Sequence, residues 1–172
     1  MIPVYAHGFF NVCRDGTIVQ HIIFNYVDPG RRYSQIIKDP EKLEKELQVV
    51  SSNMQKFLDS EEVLINGARV YPKVIATWIG FSGSEERPYI EFLIVFKGEF
   101  REGINTYEDR YEPDIAEYDY CVTWVFPQGS RIIDVDVGFE YEIIGGNVLR
   151  FNVLEGSETP GYEKISFYLE NP

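Results

Sequence analysis

The chain has 172 residues, 44% hydrophobic and 15% aromatic, and its 16 Lys+Arg against 28 Asp+Glu leave a net charge of −12. That length suits one domain or two small ones, and the apolar content excludes intrinsic disorder. The acidic balance excludes a sequence-independent grip on nucleic acid or anionic lipid, and no apolar run approaches the ~18 residues of a membrane span.

Residues 4–13 and 17–27 flank Arg14-Asp15-Gly16, and Asp-Gly accepts the positive φ angles of a tight turn, so the chain opens on a β-hairpin. Asp28-Pro29-Gly30 ends its second strand. Asp39 is placed to cap a helix with Pro40 at its first position and Glu41 favouring its dipole. Leu43, Leu47, Val50, Met54 and Phe57/Leu58 recur every three or four residues, giving one apolar stripe over about 40–58. Two heptads are too few for a coiled coil, so the stripe is expected to cover a sheet.

Beyond the helix the period falls to two. Val63–Ile65 and Ala68–Tyr71 around Asn66-Gly67 form a short hairpin. Residues 74–81 and 89–96 are apolar on both faces and predict central strands covered on two sides, with Trp78 a core anchor. In 118–126, Tyr118, Tyr120, Val122, Trp124 and Phe126 share a face. In 133–139, Ile133, Val135, Val137 and Phe139 point inward while Asp134 and Asp136 point to solvent. Gly145-Gly146-Asn147 joins 141–144 to 148–153, and 162–169 closes the chain. The expected fold is mainly β (α+β), an antiparallel two-sheet sandwich of about ten strands with one amphipathic helix packed on a sheet. No linker separates a hairpin-plus-helix part (about 1–60) from a sandwich part (about 61–172), so 1–172 is read as a single compact domain.

Cys13 and Cys121 lie far apart with no paired spacing, which predicts two reduced thiols and no structural zinc. A single long-range disulfide is the alternative. Met1–Phe10 lacks the basic head and apolar core of a signal peptide, so a cytoplasmic location is expected. Scarce Gln and Ser/Thr beside abundant Ile, Tyr and Glu suit a thermophilic source.

No phosphate loop, dinucleotide fingerprint or nucleophile elbow is present, and no cofactor or metal is expected. A two-residue Asp15-Gly16 turn would set His7 opposite Phe24 and His21 opposite Phe10, on opposite faces. A three-residue bulged turn would put both on one face, about 13 Å apart. Neither arrangement lets them chelate one ion. Asp134-Val135-Asp136 reads as solvated charge rather than a metal motif. Glu91 sits in a strongly apolar strand; buried, it would be a candidate general acid, and otherwise it pairs with a neighbouring cation.

The densest chemical resource lies at 107–120. Tyr107, Asp109, Tyr111, Glu112, Tyr118, Asp119 and Tyr120 are the candidate binding residues, expected to meet across a hairpin turning at 113–116. Tyrosine offers a flat apolar face with a polar tip, and carboxylates accept hydrogen bonds from cationic side chains or sugar hydroxyls. The expected function is a non-enzymatic binding module acting through this acidic, tyrosine-rich surface on a protein partner or on a second copy of itself. A carbohydrate-binding or carbohydrate-processing domain is the alternative. Neither nucleic acid nor membrane is an expected partner.

Overall fold

The computed structural model of the protein describes residues 1–170. In chain order its elements are β1 (Ile2–Val12), β2 (Thr17–Val27), α1 (Arg32–Ile37), α2 (Pro40–Ser60), β3 (Glu62–Ile65), β4 (Ala68–Val70) and β5 (Lys73–Phe81). There follow β6 (Pro88–Lys97), β7 (Gly103–Arg110), β8 (Tyr120–Val125), β9 (Arg131–Asp136), β10 (Tyr141–Ile144), β11 (Val148–Val153) and β12 (Tyr162–Leu169). The strands make a seven-stranded sheet, β10-β11-β8-β1-β2-β6-β5, and a five-stranded sheet, β4-β3-β7-β12-β9. The architecture is thus a two-sheet α+β sandwich, with twelve strands rather than about ten and two helices rather than one among the described residues.

The opening hairpin forms as its turn dictates, but through three loop residues. The Cys13 N–H donates to the Thr17 carbonyl at 2.8 Å, and Gly16 adopts φ 87°. Gly16 is confined to glycine, because a Cβ there would lie 1.9 Å from the Gly98 carbonyl oxygen. The resulting register pairs His7 with Ile23 and Phe9 with His21. Both imidazoles therefore share one face, two residues apart along the ribbon, and neither sequence-derived register holds.

The hairpin is no appendage: β1 and β2 are central in the larger sheet, and β1 pairs in parallel with β8. By contrast β5, expected at the centre, is an edge strand. One face of β5 and β6 stays uncovered, and Trp78 lies on it 47% exposed. A bulge in β9 sets Ile132 opposite Phe167 and Asp134 opposite Ser166, so Ile132 rather than Ile133 enters the core.

Two apolar clusters hold the inner face of the larger sheet. The first fills the space between the sheets around Trp124, whose ring stacks on Phe10 at 3.9 Å. The second lies under the helices, where Ile90, Phe92 and Ile94 meet Leu58, Met54, Val50 and Tyr33. Helix α2 begins as its sequence directs, with the Asp39 carboxylate accepting the Lys42 N–H at 3.2 Å and Pro40 at the first position. The short α1 carries no such signal, starting from Arg31 in a left-handed conformation (φ 51°) with no side-chain cap.

Candidate functional site

The larger sheet's inner face is covered in two pieces, the smaller sheet over one side and α2 over the other. Between them a cleft of about 740 Å³ remains, a size typical of small-molecule sites. Its floor is apolar, built from Ala6, Gly8 and Phe10 of β1, Ile22 and Phe24 of β2, and Val122 of β8. Met54, Phe57 and Leu58 of α2 close one side. The opposite wall is the segment from Tyr111 to Tyr118. It is pinned to the 154–161 loop by Tyr111 N–H to Gly161 O (3.0 Å), Ala116 N–H to Ser157 O (2.9 Å) and Thr159 N–H to Asp114 O (2.8 Å).

The chemistry sits at the end of the smaller sheet. Asp109 on β7 pairs by backbone with Glu163 on β12 and, on its other side, with Val63 on β3. Side chains alternate along a strand, so Glu61, two residues before Val63, falls on the same face. Glu61, Asp109 and Glu163 therefore form one row, continuing inward faces that otherwise carry Val63 and Ile65, Tyr107, and Ile165 and Phe167. All three line the cleft, with Glu112, Asp114 and Glu117 on the wall, and among the described residues no Lys, Arg or His lines it.

Asp109 is only 9% exposed. Its Oδ2 accepts the Tyr107 hydroxyl at a long 3.5 Å, while its Oδ1 is buried without a hydrogen-bond partner. Burial alone pushes the Asp109 carboxyl above its ordinary range, against the opposing hydrogen bond from Tyr107. Burial also raises Glu61, and repulsion from Asp109 and Glu163 adds to it. Glu163 is pushed up to about 8 by burial and then by the Asp109 charge, although the Tyr111 hydroxyl donates to it. The tyrosines respond to the same field: burial first, then nearby carboxylates, lifts Tyr107 and Tyr111 well above the ordinary phenol, and Tyr120 reaches about 12. Helix α2 adds to the negative potential. Its C-terminal residues Leu58 and Ser60 line the cleft, and its last turn carries no basic residue to offset the dipole.

Six of the seven expected binding residues line this cleft: Tyr107, Asp109, Tyr111, Glu112, Tyr118 and Tyr120. They do not meet across a hairpin. Tyr107 and Asp109 belong to the smaller sheet and Tyr120 to the larger, and the chain between them crosses from one to the other. Tyr107 is core, 4% exposed and packed on Trp124 at 4.6 Å, so only its hydroxyl serves the site. Tyr111, Tyr118 and Tyr120 are half-buried. Asp119 stands apart, its carboxylate holding the Glu155 N–H at 2.8 Å. Sequence reasoning missed Glu61 and Glu163, although each shares its parity with inward apolar residues of its own strand.

The remaining chemical candidates lie elsewhere. On the outer face of the larger sheet, His21 Nε2 meets Glu91 Oε1 at 2.6 Å, and His7 Nε2 meets Thr123 Oγ1 at 3.1 Å. Glu91 is partly exposed and paired, so the burial a general acid there would need is missing. Both cysteines are free, Cys121 wholly buried beside His7 in the β1–β8 register. Asp134 and Asp136 are exposed. Among the described residues no set of three or more His, Cys, Asp or Glu side chains is placed to hold a metal ion, and no helix is long and apolar enough to cross a membrane.

No family model matches the chain, and no curated protein does. Among solved structures it is similar to the folded domain of LppM from Mycobacterium tuberculosis, at 10% identity and a TM-score of 0.46, over 100% of this chain and 94% of that one. It is also similar to an aminopeptidase N family protein from Idiomarina loihiensis, at 8% identity and a TM-score of 0.38, where 94% of this chain matches only 29% of that one. At such scores and identities the resemblance carries no inference about chemistry.

Proposed function

We propose that the protein is a non-enzymatic binding module whose cleft takes a small organic cation, an ammonium group attached to an apolar body. The carrying observation is the buried Asp109 oxygen that has no hydrogen-bond partner, in a cleft lined by six carboxylates and no basic side chain. A buried polar atom without a partner costs about 1–3 kcal/mol, more when charged, and an N–H⁺ donor removes that cost. The apolar floor suits the ligand's body, and the half-buried tyrosines offer ring faces that attract a cation. A neutral sugar would satisfy hydrogen bonds but bring none of the positive charge that an ionised row needs. The two free thiols support a reducing compartment, which we take as the cytoplasm.

Isothermal titration of phenethylammonium, hexylammonium, 2-phenylethanol and cellobiose tests this reading. The two ammonium ions should bind and the alcohol should not, and Asp109→Asn should weaken the ammonium ions by about 10- to 100-fold. Cellobiose binding in their place would favour the carbohydrate reading.

A second reading, contact with a protein or a second copy, draws on the uncovered outer face, where Ile75 and Trp78 are 58% and 47% exposed. Sedimentation of the wild type against Trp78→Ser addresses it. A concentration-dependent dimer lost in the variant would support it, and a monomer at all concentrations would count against self-association.

A further inference from the structure

Three carboxylates cannot all stay ionised in one partly dry row when nothing basic faces them. Around the row, β7 contributes Tyr107, the wall contributes Tyr111, Glu112, Asp114, Glu117 and Tyr118, and β8 contributes Tyr120. From α2 come only Met54, Phe57, Leu58 and Ser60, and from the sheet floor Gln20 and apolar groups. Every titratable neighbour is thus an acid or a phenol. The charge that ionises the row must come from outside the protein, as a solvent proton or as a ligand.

We propose that the cleft is a cation–proton exchanger in its binding step: the row of Glu61, Asp109 and Glu163 holds protons when empty and releases them to solvent as the organic cation enters. This deepens the reading of the cleft as a cation site and rests on it. The step balances simply, since the ligand brings one positive charge to the row and a carboxyl O–H gives up its proton to water or buffer. Two observations beyond the mere clustering of acids support it. One is the orphaned Oδ1 of Asp109, which needs a donor that no protein group supplies. The other is the direction of the carboxyl shifts, all upward with burial as the largest cause. Affinity then depends on pH through the site itself, with protons and ligand competing for one set of oxygens.

The experiment uses the full chain and benzylguanidinium, which keeps its N–H donors and does not titrate near neutral pH, so any released proton comes from the protein. Titration at pH 7 in two buffers of different ionisation heat, phosphate and the zwitterionic MOPS, gives the number released. Between about 0.5 and 1 proton per bound cation is expected, with Kd falling at least about tenfold from pH 6 to pH 8. Glu163→Gln should cut the release measurably while still binding. Binding with equal heats in both buffers and a flat Kd would overturn the exchange and leave the cation site standing. No binding of this probe or of phenethylammonium at any pH would overturn both. Calcium binding in place of the organic cations would also overturn both, by making the row a metal site.

Discussion

Acids stand on both sides of the larger sheet, Glu91 on its own outer face and the row carried by the smaller sheet against its inner face, and the two settings treat them differently. Glu91, on the outer face, meets His21 at 2.6 Å and is partly open to water, so its charge has both a partner and solvent. Asp109 and Glu163, facing the inner side of the same sheet, have neither a basic side chain nor full hydration. A protein keeping acids only for solubility would place them as it places Glu91. An interior carboxylate costs several kcal/mol to leave ionised, so the inner row stores an unmet demand for positive charge. The contrast teaches that partner and solvation, more than the presence of an acid, separate a site from a surface.

Filling the inner space should have the largest effect. Gly8 lies on the cleft floor, and a Cβ there meets nothing nearer than the Phe10 ring at 3.8 Å, so the backbone tolerates a side chain. Gly8→Leu should occupy the volume meant for the ligand's apolar body. We expect phenethylammonium affinity to fall about a hundredfold while the melting temperature stays within a few degrees, since a strand gains rather than loses by giving up glycine. Unchanged affinity in a folded variant would move the site elsewhere.

A smaller and pH-dependent effect separates the two faces by stability. Burial, and then the Asp109 charge, push the Glu163 carboxyl from its ordinary 4.5 up to about 8 in the folded protein. Between those values the unfolded chain has lost a proton the folded one keeps, so stability is highest below the ordinary value and declines as pH rises through about 8. Glu163→Gln removes that decline. The variant should melt roughly 4–8 °C above wild type at pH 8, about 2 kcal/mol, and near wild type at pH 4.5, read by circular dichroism. A variant less stable at both pH values would show that Glu163 serves the fold as an anion.

Much of this was legible in the sequence wherever the signal is local. The Arg14-Asp15-Gly16 turn, the Asp39-Pro40 helix start and the Asn66-Gly67 hairpin all stand where their residue chemistry puts them. The tyrosine-rich acidic run from 107 to 120 supplies most of the cleft's polar lining. What stayed hidden depends on pairing at a distance. Asp109 meets Glu163 only because β7 pairs with β12, more than fifty residues apart. Glu61 joins them only because β3 flanks β7 on the other side. The histidines were misplaced for a local reason: one residue more in the loop shifts the register and moves an imidazole across the sheet. Trp78 was misread because apolar strands at an uncovered edge resemble apolar strands at a covered centre. Parity was the unused signal, since an acid in phase with Ile165, Phe167 and Leu169 is marked as facing inward before any pairing is known.

The smallest effect belongs to the outer face, and it is the control for the rest. Replacing Glu91 by Gln removes a charge of the same type as Asp109, but from a partly exposed pair on the outer face of the larger sheet. Such pairs contribute about 0–1 kcal/mol, so Glu91→Gln should shift the melting temperature by no more than roughly 4 °C. Phenethylammonium affinity should stay within about twofold of wild type, because the sheet lies between Glu91 and the cleft and solvent screens what crosses it. The same titration run on Asp109→Asn should show the large loss. If the two substitutions weakened the ligand equally, affinity would be following net charge over the whole molecule, and the row at the end of the smaller sheet would have no special claim on the cation.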